Sequence, residues 1–140
     1  MPKDRQSIVR VALAAVGLVC LVAAIAYASR AAELGELHFE RDVRPILKVH
    51  CFHCHGETDD PSGGLDVRLV WLMREGGYSG EAIVPHDAEA SLLWEKISSD
   101  EMPEGPKKLS PQDKATIRAW IDQGAPTTRP SPTASSKTSR

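Results

Sequence analysis

The chain has 140 residues, of which 26% are charged, and a net charge of −2, a size and composition typical of one small globular domain. Charge is unevenly distributed: residues 1–30 and 125–140 each carry +3, which leaves −8 for residues 31–124. The acidic central part argues against nucleic acid as a partner. It favours a partner with a basic surface, although the same acidity would also keep a small domain soluble.

The first element along the chain is an apolar segment. The 18 residues Val11–Ala28 carry no charge and follow a basic stretch. This length is short for a membrane span and long for the core of a signal peptide, and Ala26-Tyr27-Ala28 fits a cleavage site. We therefore assign residues 1–30 to a signal-anchor or transmembrane helix, with a cleaved signal as the alternative. Both alternatives place everything after Ser29 outside the cytoplasm, because positive residues stay on the cytoplasmic side.

A first helix of the soluble part is predicted to run into a cysteine motif and to end at Gly56. Pro45 constrains it: either the helix begins near Arg44 with the proline in its first turn, or it kinks there. The residues that recur at helical spacing are Phe39, Val43, Ile46, Leu47 and His50.

The motif itself is Cys51-Phe52-His53-Cys54-His55, the C-x-x-C-H pattern of covalent haem attachment. Two thiols three residues apart lie on one side of a helical turn, so each can react with one vinyl group of a haem, and the adjacent imidazole can bind the iron. Two other interpretations stay open. Cys51 and Cys54 could form a redox-active dithiol, or they could hold zinc together with His50 and His55.

Three further helices are predicted after a polar loop. The second covers Leu69–Met73 and ends at Gly76-Gly77, and the third runs over Asp87–Ile97 with the aspartate as N-cap. The fourth runs over Ser110–Gly124, with Pro111 at its first position. With no convincing strand and no internal repeat, the sequence predicts a small all-α domain with long loops. We place this domain at residues 34–125 and a disordered tail at residues 126–140.

A set of short motifs follows in order from Phe39 to Ala125. The motifs are Phe39-Glu40-Arg41-Asp42-Val43-Arg44-Pro45-Ile46-Leu47, the Cys51–His55 motif, Gly63-Gly64-Leu65-Asp66, Gly76-Gly77, Ser79-Gly80, Ile83-Val84-Pro85, Ser91-Leu92-Leu93, Met102-Pro103 and Trp120-Ile121-Asp122-Gln123-Gly124-Ala125. In this order they resemble the planctomycete-type cytochrome c domain. The resemblance implies a class I-like cytochrome c fold around one covalent haem c, with the N- and C-terminal helices packed near the haem edge.

The motif makes His55 the proximal iron ligand, and the resemblance makes Met102 the distal one. Pro103 also favours an extended conformation for Met102, which would let the thioether project from a loop. His86 is the rival ligand, and Met73 lies in an apolar stripe typical of the core. Of the basic residues before the motif (Arg41, Arg44 and Lys48), we expect a solvated helix face rather than contacts with haem propionates.

These observations predict a monohaem c-type cytochrome that transfers single electrons and is not itself an enzyme. Cys51 and Cys54 would carry the thioether bonds. The expected location is the cell membrane, with the haem domain on the periplasmic side, or the periplasm after cleavage. The expected partners are redox proteins. Two alternatives stay open: a haem-based sensor or scaffold, and a thiol–disulfide oxidoreductase using the two cysteines.

Overall fold

The computed structural model describes Leu18, residues 35–129 and residues 131 and 132. Contacts divide the chain into the units Met1–Gly35 and Glu36–Arg140, and every element named below lies in the second. Across the described residues there are four α-helices and no strand. The predicted all-α class is therefore confirmed for this part of the chain.

The predicted membrane or signal segment, residues 1–30, lies outside the described residues apart from Leu18. Within the part of the chain that is described, no helix is both long and apolar enough to cross a bilayer. The anchor and its cleavage stay predictions.

The helical segment before the motif changes from π-helix to α-helix just before Pro45. A π-helical turn, Phe39–Val43, leads directly into α1 (Arg44–His50), which has the proline in its first turn. This is the first of the two predicted alternatives, a helix that begins near Arg44 with Pro45 in its first turn. Proline is tolerated there because N–H groups in the first turn of a helix have no hydrogen-bond partner within the helix. The run does not continue to Gly56 as an α-helix: α1 ends at His50 and hydrogen-bonded turns follow.

The second helix agrees with its prediction. Helix α2 (Val70–Glu75) is followed by Gly76, whose φ of 79° lies in the left-handed region that favours glycine. Met73 is fully buried, as expected for a core residue.

The third helix is shorter than predicted. Helix α3 is Leu92–Ser98 and follows Ser91, so Asp87 does not cap it. The Asp87 carboxylate instead accepts a hydrogen bond from the Ala90 amide in a preceding turn. The buried Ser91 hydroxyl holds this turn by donating to the Asp87 carbonyl at 2.8 Å and accepting from the Val84 amide at 2.9 Å. Tertiary contacts also hold this stretch and override the local capping signal, because the Ala88 amide donates to the Asp122 carboxylate at 3.1 Å and the His86 amide donates to the Ile121 carbonyl at 2.9 Å.

The fourth helix, α4 (Pro111–Asp122), begins as predicted. The Ser110 hydroxyl accepts a hydrogen bond from the Asp113 amide at 3.1 Å and donates to the Asp113 carboxylate at 2.7 Å. This satisfies an amide that the helix leaves without an internal partner. Gly124, with φ of 96°, follows the helix end, as the sequence indicated.

Helix α4 packs against the Phe39–Val43 turn through two aromatic residues. Phe39 and Trp120 are both fully buried, with ring centroids 5.6 Å apart and planes inclined by 36°. The Pro126 carbonyl accepts hydrogen bonds from the Phe39 amide at 2.9 Å and the Trp120 indole N–H at 3.0 Å. The first and last helical segments of the domain are therefore joined, as the resemblance implied, and the turn that leads to the motif is fixed.

The contacts continue past residue 125, where the sequence placed the start of a disordered tail. The Glu40 carboxylate accepts hydrogen bonds from the Thr127 hydroxyl at 2.6 Å and the Thr128 amide at 3.1 Å. Residues 126–128 therefore belong to the packed part of the domain. Of the remaining tail, Arg129, Ser131 and Pro132 are the described residues.

Candidate haem site

The cysteine motif forms a hydrogen-bonded turn at the end of α1. The amides of Cys51 and Phe52 both donate to the Leu47 carbonyl, at 2.7 and 3.0 Å. The His55 amide donates to the Cys51 carbonyl at 2.8 Å, which closes one helical turn over the motif. Cys51 and Cys54 therefore lie three residues apart on a single turn, which is the arrangement that the predicted attachment chemistry needs.

Burial gives the residues of the motif different environments. Phe52 has only 2% of its surface exposed and anchors the turn in the core, whereas His53 and Cys54 are exposed. Cys51 and His55 are half-buried. Cys51 is therefore more enclosed by the protein than Cys54. Neither Cys51 nor Cys54 is in a disulfide.

The environment of Cys51 argues against a reactive dithiol. Burial, with a smaller contribution from the neighbouring Cys54, raises the pKa of the Cys51 thiol to about 11. A redox-active C-x-x-C pair depends on a cysteine whose pKa is lowered, because the thiolate is the nucleophile. The site therefore favours cysteines that are used for attachment over cysteines that exchange disulfides.

The imidazole of His55 has bonding capacity that the protein does not use. Its Nδ1 atom is buried without a hydrogen-bond partner, although its backbone carbonyl accepts from the Val67 amide at 3.0 Å. A buried polar nitrogen without a partner is costly, so such atoms usually mark a functional group or an additional ligand. The orphaned nitrogen fits an imidazole whose ring serves a bound group.

The chain after the motif folds back onto it. The Ser62 amide donates to the Cys54 carbonyl at 2.9 Å, and the Val67 amide donates to the His55 carbonyl as noted. Arg68 forms a two-pronged ion pair with Asp66, with contacts of 2.6 to 3.0 Å. These bonds hold residues 62–68 beside the motif.

Gly56 has a role that the sequence prediction missed. The Arg68 side chain lies over it so closely that a Cβ at position 56 would come within 2.7 Å of the arginine Cγ. A side chain at this position would displace that of Arg68, and the φ of 152° at Gly56 also favours glycine, whereas the sequence suggested a helix terminus. No local pattern announces this contact, because Arg68 lies twelve positions further along the chain.

The basic residues before the motif differ from one another. Lys48 is exposed, and Arg41 is exposed and pairs with Asp42 at 2.9 Å, as expected for a solvated face. Arg44 is half-buried: its guanidinium carbon lies 5.5 Å from the ring centroid of Phe52, and its Nε atom is buried without a hydrogen-bond partner. A positive charge is thus held on the aromatic residue inside the motif.

Met102 lies on a separate segment, in the loop between α3 and α4. It is half-buried, and its amide donates to the Lys96 carbonyl at 2.9 Å. The rival ligand His86 is exposed, with its amide bonded to the Ile121 carbonyl and its ring against Gly124 at the end of α4. Of the two candidates, Met102 is the one with a partly buried side chain on a loop.

Several other apolar side chains in α1 and in the segment after the motif are half-buried, which suits packing against an apolar macrocycle. They are Ile46, Leu65, Leu69, Trp71 and Leu72.

No group of three or more His, Cys, Asp or Glu side chains in the described residues is arranged to hold a metal ion, so the four ligands of the zinc interpretation are not brought together.

Comparison with known families gives a match that includes the motif. A family model described as Planctomycete cytochrome C covers residues 51–108, from the first cysteine of the motif to beyond Met102. The resemblance inferred from the sequence is confirmed over this range. It indicates a haem-binding, electron-transfer role and a covalently bound haem c, and domains of this kind are generally electron carriers. No curated protein and no solved structure is detectably similar to the chain.

Proposed function

We propose, from the match of residues 51–108 to the family model described as Planctomycete cytochrome C, that the chain is an exported c-type cytochrome with one haem, which transfers single electrons. The observation that carries the proposal is the closed turn at Cys51–His55, which has two free thiols and an imidazole with an unpaired nitrogen. The haem, when bound, would supply the one-electron chemistry.

Attachment would consume both thiols of the motif. Each S–H adds across one vinyl C=C bond, so that the sulfur bonds to one carbon and the hydrogen to the other, with no external oxidant or reductant. Cys51 would react from its half-buried position and Cys54 from the exposed side of the turn. The raised pKa of Cys51 gives a thiol that stays protonated at neutral pH and resists disulfide exchange until it is attached.

His55 and Met102 are the proposed iron ligands. His55 follows Cys54 directly, so attachment of the haem through the cysteines would bring its ring to the iron. Met102 is supported by its place within the matched segment and by its half-buried side chain. A methionine–histidine pair would favour the ferrous state more than harder ligands do.

If His55 and Met102 both held the iron, no coordination site would remain for a substrate. This favours an electron carrier over a haem-based sensor, which needs a position that a small gas can take. The raised pKa of the Cys51 thiol disfavours the third interpretation, a dithiol oxidoreductase.

The proposed location and partners rest on the sequence. The basic N-terminal stretch and the apolar run Val11–Ala28 support export, with the haem domain outside the cytoplasm, either anchored to the membrane or released by cleavage. The charge of −8 on residues 31–124, which remains when +3 at each end is taken from the net −2, supports a redox partner with a basic surface.

The experiment that tests this function uses the full chain, expressed through a secretion route with cytochrome c maturation. A redox titration should give a one-electron curve, and carbon monoxide should bind the ferrous wild type poorly. Met102→Ala should bind carbon monoxide readily, whereas the control His86→Ala should behave as wild type. Rapid binding to the wild type would contradict the carrier and support the sensor. An effect confined to His86→Ala would transfer the distal ligand to His86.

A further inference from the structure

The loop that carries Met102 is held to the rest of the domain by three lysines. It leaves α3 after Ser98 and reaches α4 at Pro111 without regular secondary structure. The three contacts are Lys96 with Glu101, Lys114 with Asp100, and Lys108 with the Pro103 carbonyl. They lie immediately before and after Met102.

Lys114 connects the loop to α4. Its ammonium group lies 2.7 Å from the Asp100 carboxylate, and its side chain is only 18% exposed. Asp100 has a φ of 59°, in the left-handed region, which aspartate adopts more readily than most residues other than glycine. The ion pair with a helix that has Ile117 and Trp120 in the core therefore fixes the point where the chain turns towards Met102.

Lys108 holds the other side of the loop. Its Nζ atom donates to the Pro103 carbonyl at 2.6 Å in a partly buried setting. A hydrogen bond from an ammonium group is stronger than one between neutral groups. The next residue, Leu109, is buried with 5% exposure, so Lys108 is itself attached to the core. Pro103 follows Met102 directly, and its carbonyl is thus tied within one residue of the proposed ligand.

Lys96 makes the more exposed of the two ion pairs. Its side chain is 37% exposed and that of Glu101 is 56% exposed, so the pair is worth little once water screens it. Its backbone contributes more, because the Lys96 carbonyl accepts from the Met102 amide. The side-chain contacts of Lys108 and Lys114 are therefore the ones that matter for the loop.

From these contacts we infer that Lys108 and Lys114 are positioning residues that keep the Met102 thioether at the iron. The inference rests on the proposed function, in which Met102 is the distal ligand. A thioether is a neutral, weak ligand, so the fraction of molecules in which it is bound depends on how often the loop moves away. Contacts made only in the closed loop raise the closed population by their differential free energy.

The test is binding of imidazole to the ferric protein, since imidazole takes the distal position when the loop opens. Lys108→Met removes the charge and the hydrogen bond but keeps an unbranched side chain. The matched control is Lys107→Met, because Lys107 is the preceding lysine and is exposed. We expect Lys108→Met to bind imidazole about tenfold more tightly than Lys107→Met, the effect of losing one charge-assisted hydrogen bond.

Two further measurements separate positioning from general stability. The weak red absorption band of a methionine–ferric iron bond should lose intensity in Lys108→Met and in Lys114→Met, and Lys108→Arg should recover much of it. Hydrogen exchange at the Met102 amide should accelerate in the same two variants. Lys114→Met also serves as the test if Lys108→Met does not fold.

The outcomes distinguish this inference from the proposed function. If the wild type shows the red band and both variants bind imidazole as Lys107→Met does, the positioning role is overturned while Met102 stays the ligand. If the wild type carries haem but lacks the band, Met102 is not the ligand, and both the ligand assignment and the positioning role are overturned.

Discussion

Replacement of Trp120 tests the packing that fixes the turn before the motif. Trp120 is fully buried against Phe39, and its indole N–H donates to the Pro126 carbonyl. Trp120→Phe keeps an aromatic ring but loses this bond and part of the buried area. Because the Pro126 carbonyl still accepts from the Phe39 amide, no buried acceptor is left unpaired.

The expected cost follows from these contacts. Loss of a neutral hydrogen bond costs about 1 kcal/mol and the smaller ring about as much again, so Trp120→Phe should lower the free energy of unfolding by about 2 kcal/mol. For a domain of this size, that corresponds to a fall in Tm of about 8–16 °C. Trp120→Ala should cost about 3–5 kcal/mol.

The assay is guanidinium unfolding of the haem-loaded protein, followed by circular dichroism. Trp94→Phe is the control, because Trp94 is half-buried and packs against Arg118, whose guanidinium carbon lies 5.0 Å from the ring centroid. It should cost less than about 1 kcal/mol. Equal losses in Trp94→Phe and Trp120→Phe would refute the reasoning that Trp120 joins the two ends of the domain.

Three smaller perturbations test other parts of the fold. Ser110→Ala should cost about 1 kcal/mol in urea unfolding, because α4 loses its cap. Gly76→Ala should cost more than Gly105→Ala: both glycines have positive φ, but only at position 76 would a Cβ meet the backbone of a neighbouring turn. Thr127→Val should make the free energy of unfolding less dependent on pH in the acidic range. Burial raises the pKa of Glu40, but hydrogen bonds from Thr127 and Thr128 outweigh this effect and lower the pKa below 4.5.

The sign of the pH effect follows from the lowered pKa of Glu40. The stabilisation is present above the unfolded-state pKa and disappears as the pH falls through the folded-state pKa. The free energy of unfolding should therefore differ less between neutral pH and a pH well below 4.5 in Thr127→Val than in the wild type. If this difference is the same in Thr127→Val and in the wild type, the account of Glu40 is wrong. If Ser110→Ala is as stable as the wild type, the Ser110 cap does not stabilise α4.

The sequence correctly predicted the helix starts and ends that depend on residues close together in the chain. Ser110 and Pro111 marked the start of α4, and Gly76 marked the end of α2, because caps and left-handed residues act within a few positions of the chain. Asp87 gave an equally good capping signal, but the prediction that it is the N-cap of the third helix was wrong. The Ala88 amide bonds to the Asp122 carboxylate and the His86 amide bonds to the Ile121 carbonyl. These contacts with α4 hold the stretch in a turn, and a short-range pattern cannot contain them.

The same distinction applies to the candidate site. The cysteine motif named Cys51, Cys54 and His55, because their chemistry depends on their spacing. The sequence could not show that Arg68 packs over Gly56, or that Lys108 and Lys114 hold the Met102 loop. These contacts join segments whose proximity only the folded chain determines.

The central claim, covalent attachment of haem to Cys51 and Cys54, is tested most directly by denaturing the mature protein in acidified acetone. The account predicts that the haem stays with the polypeptide, and that it is lost when both cysteines are replaced by alanine. If the wild-type chain, made with active cytochrome c maturation, carries no haem after this treatment, the claim is contradicted.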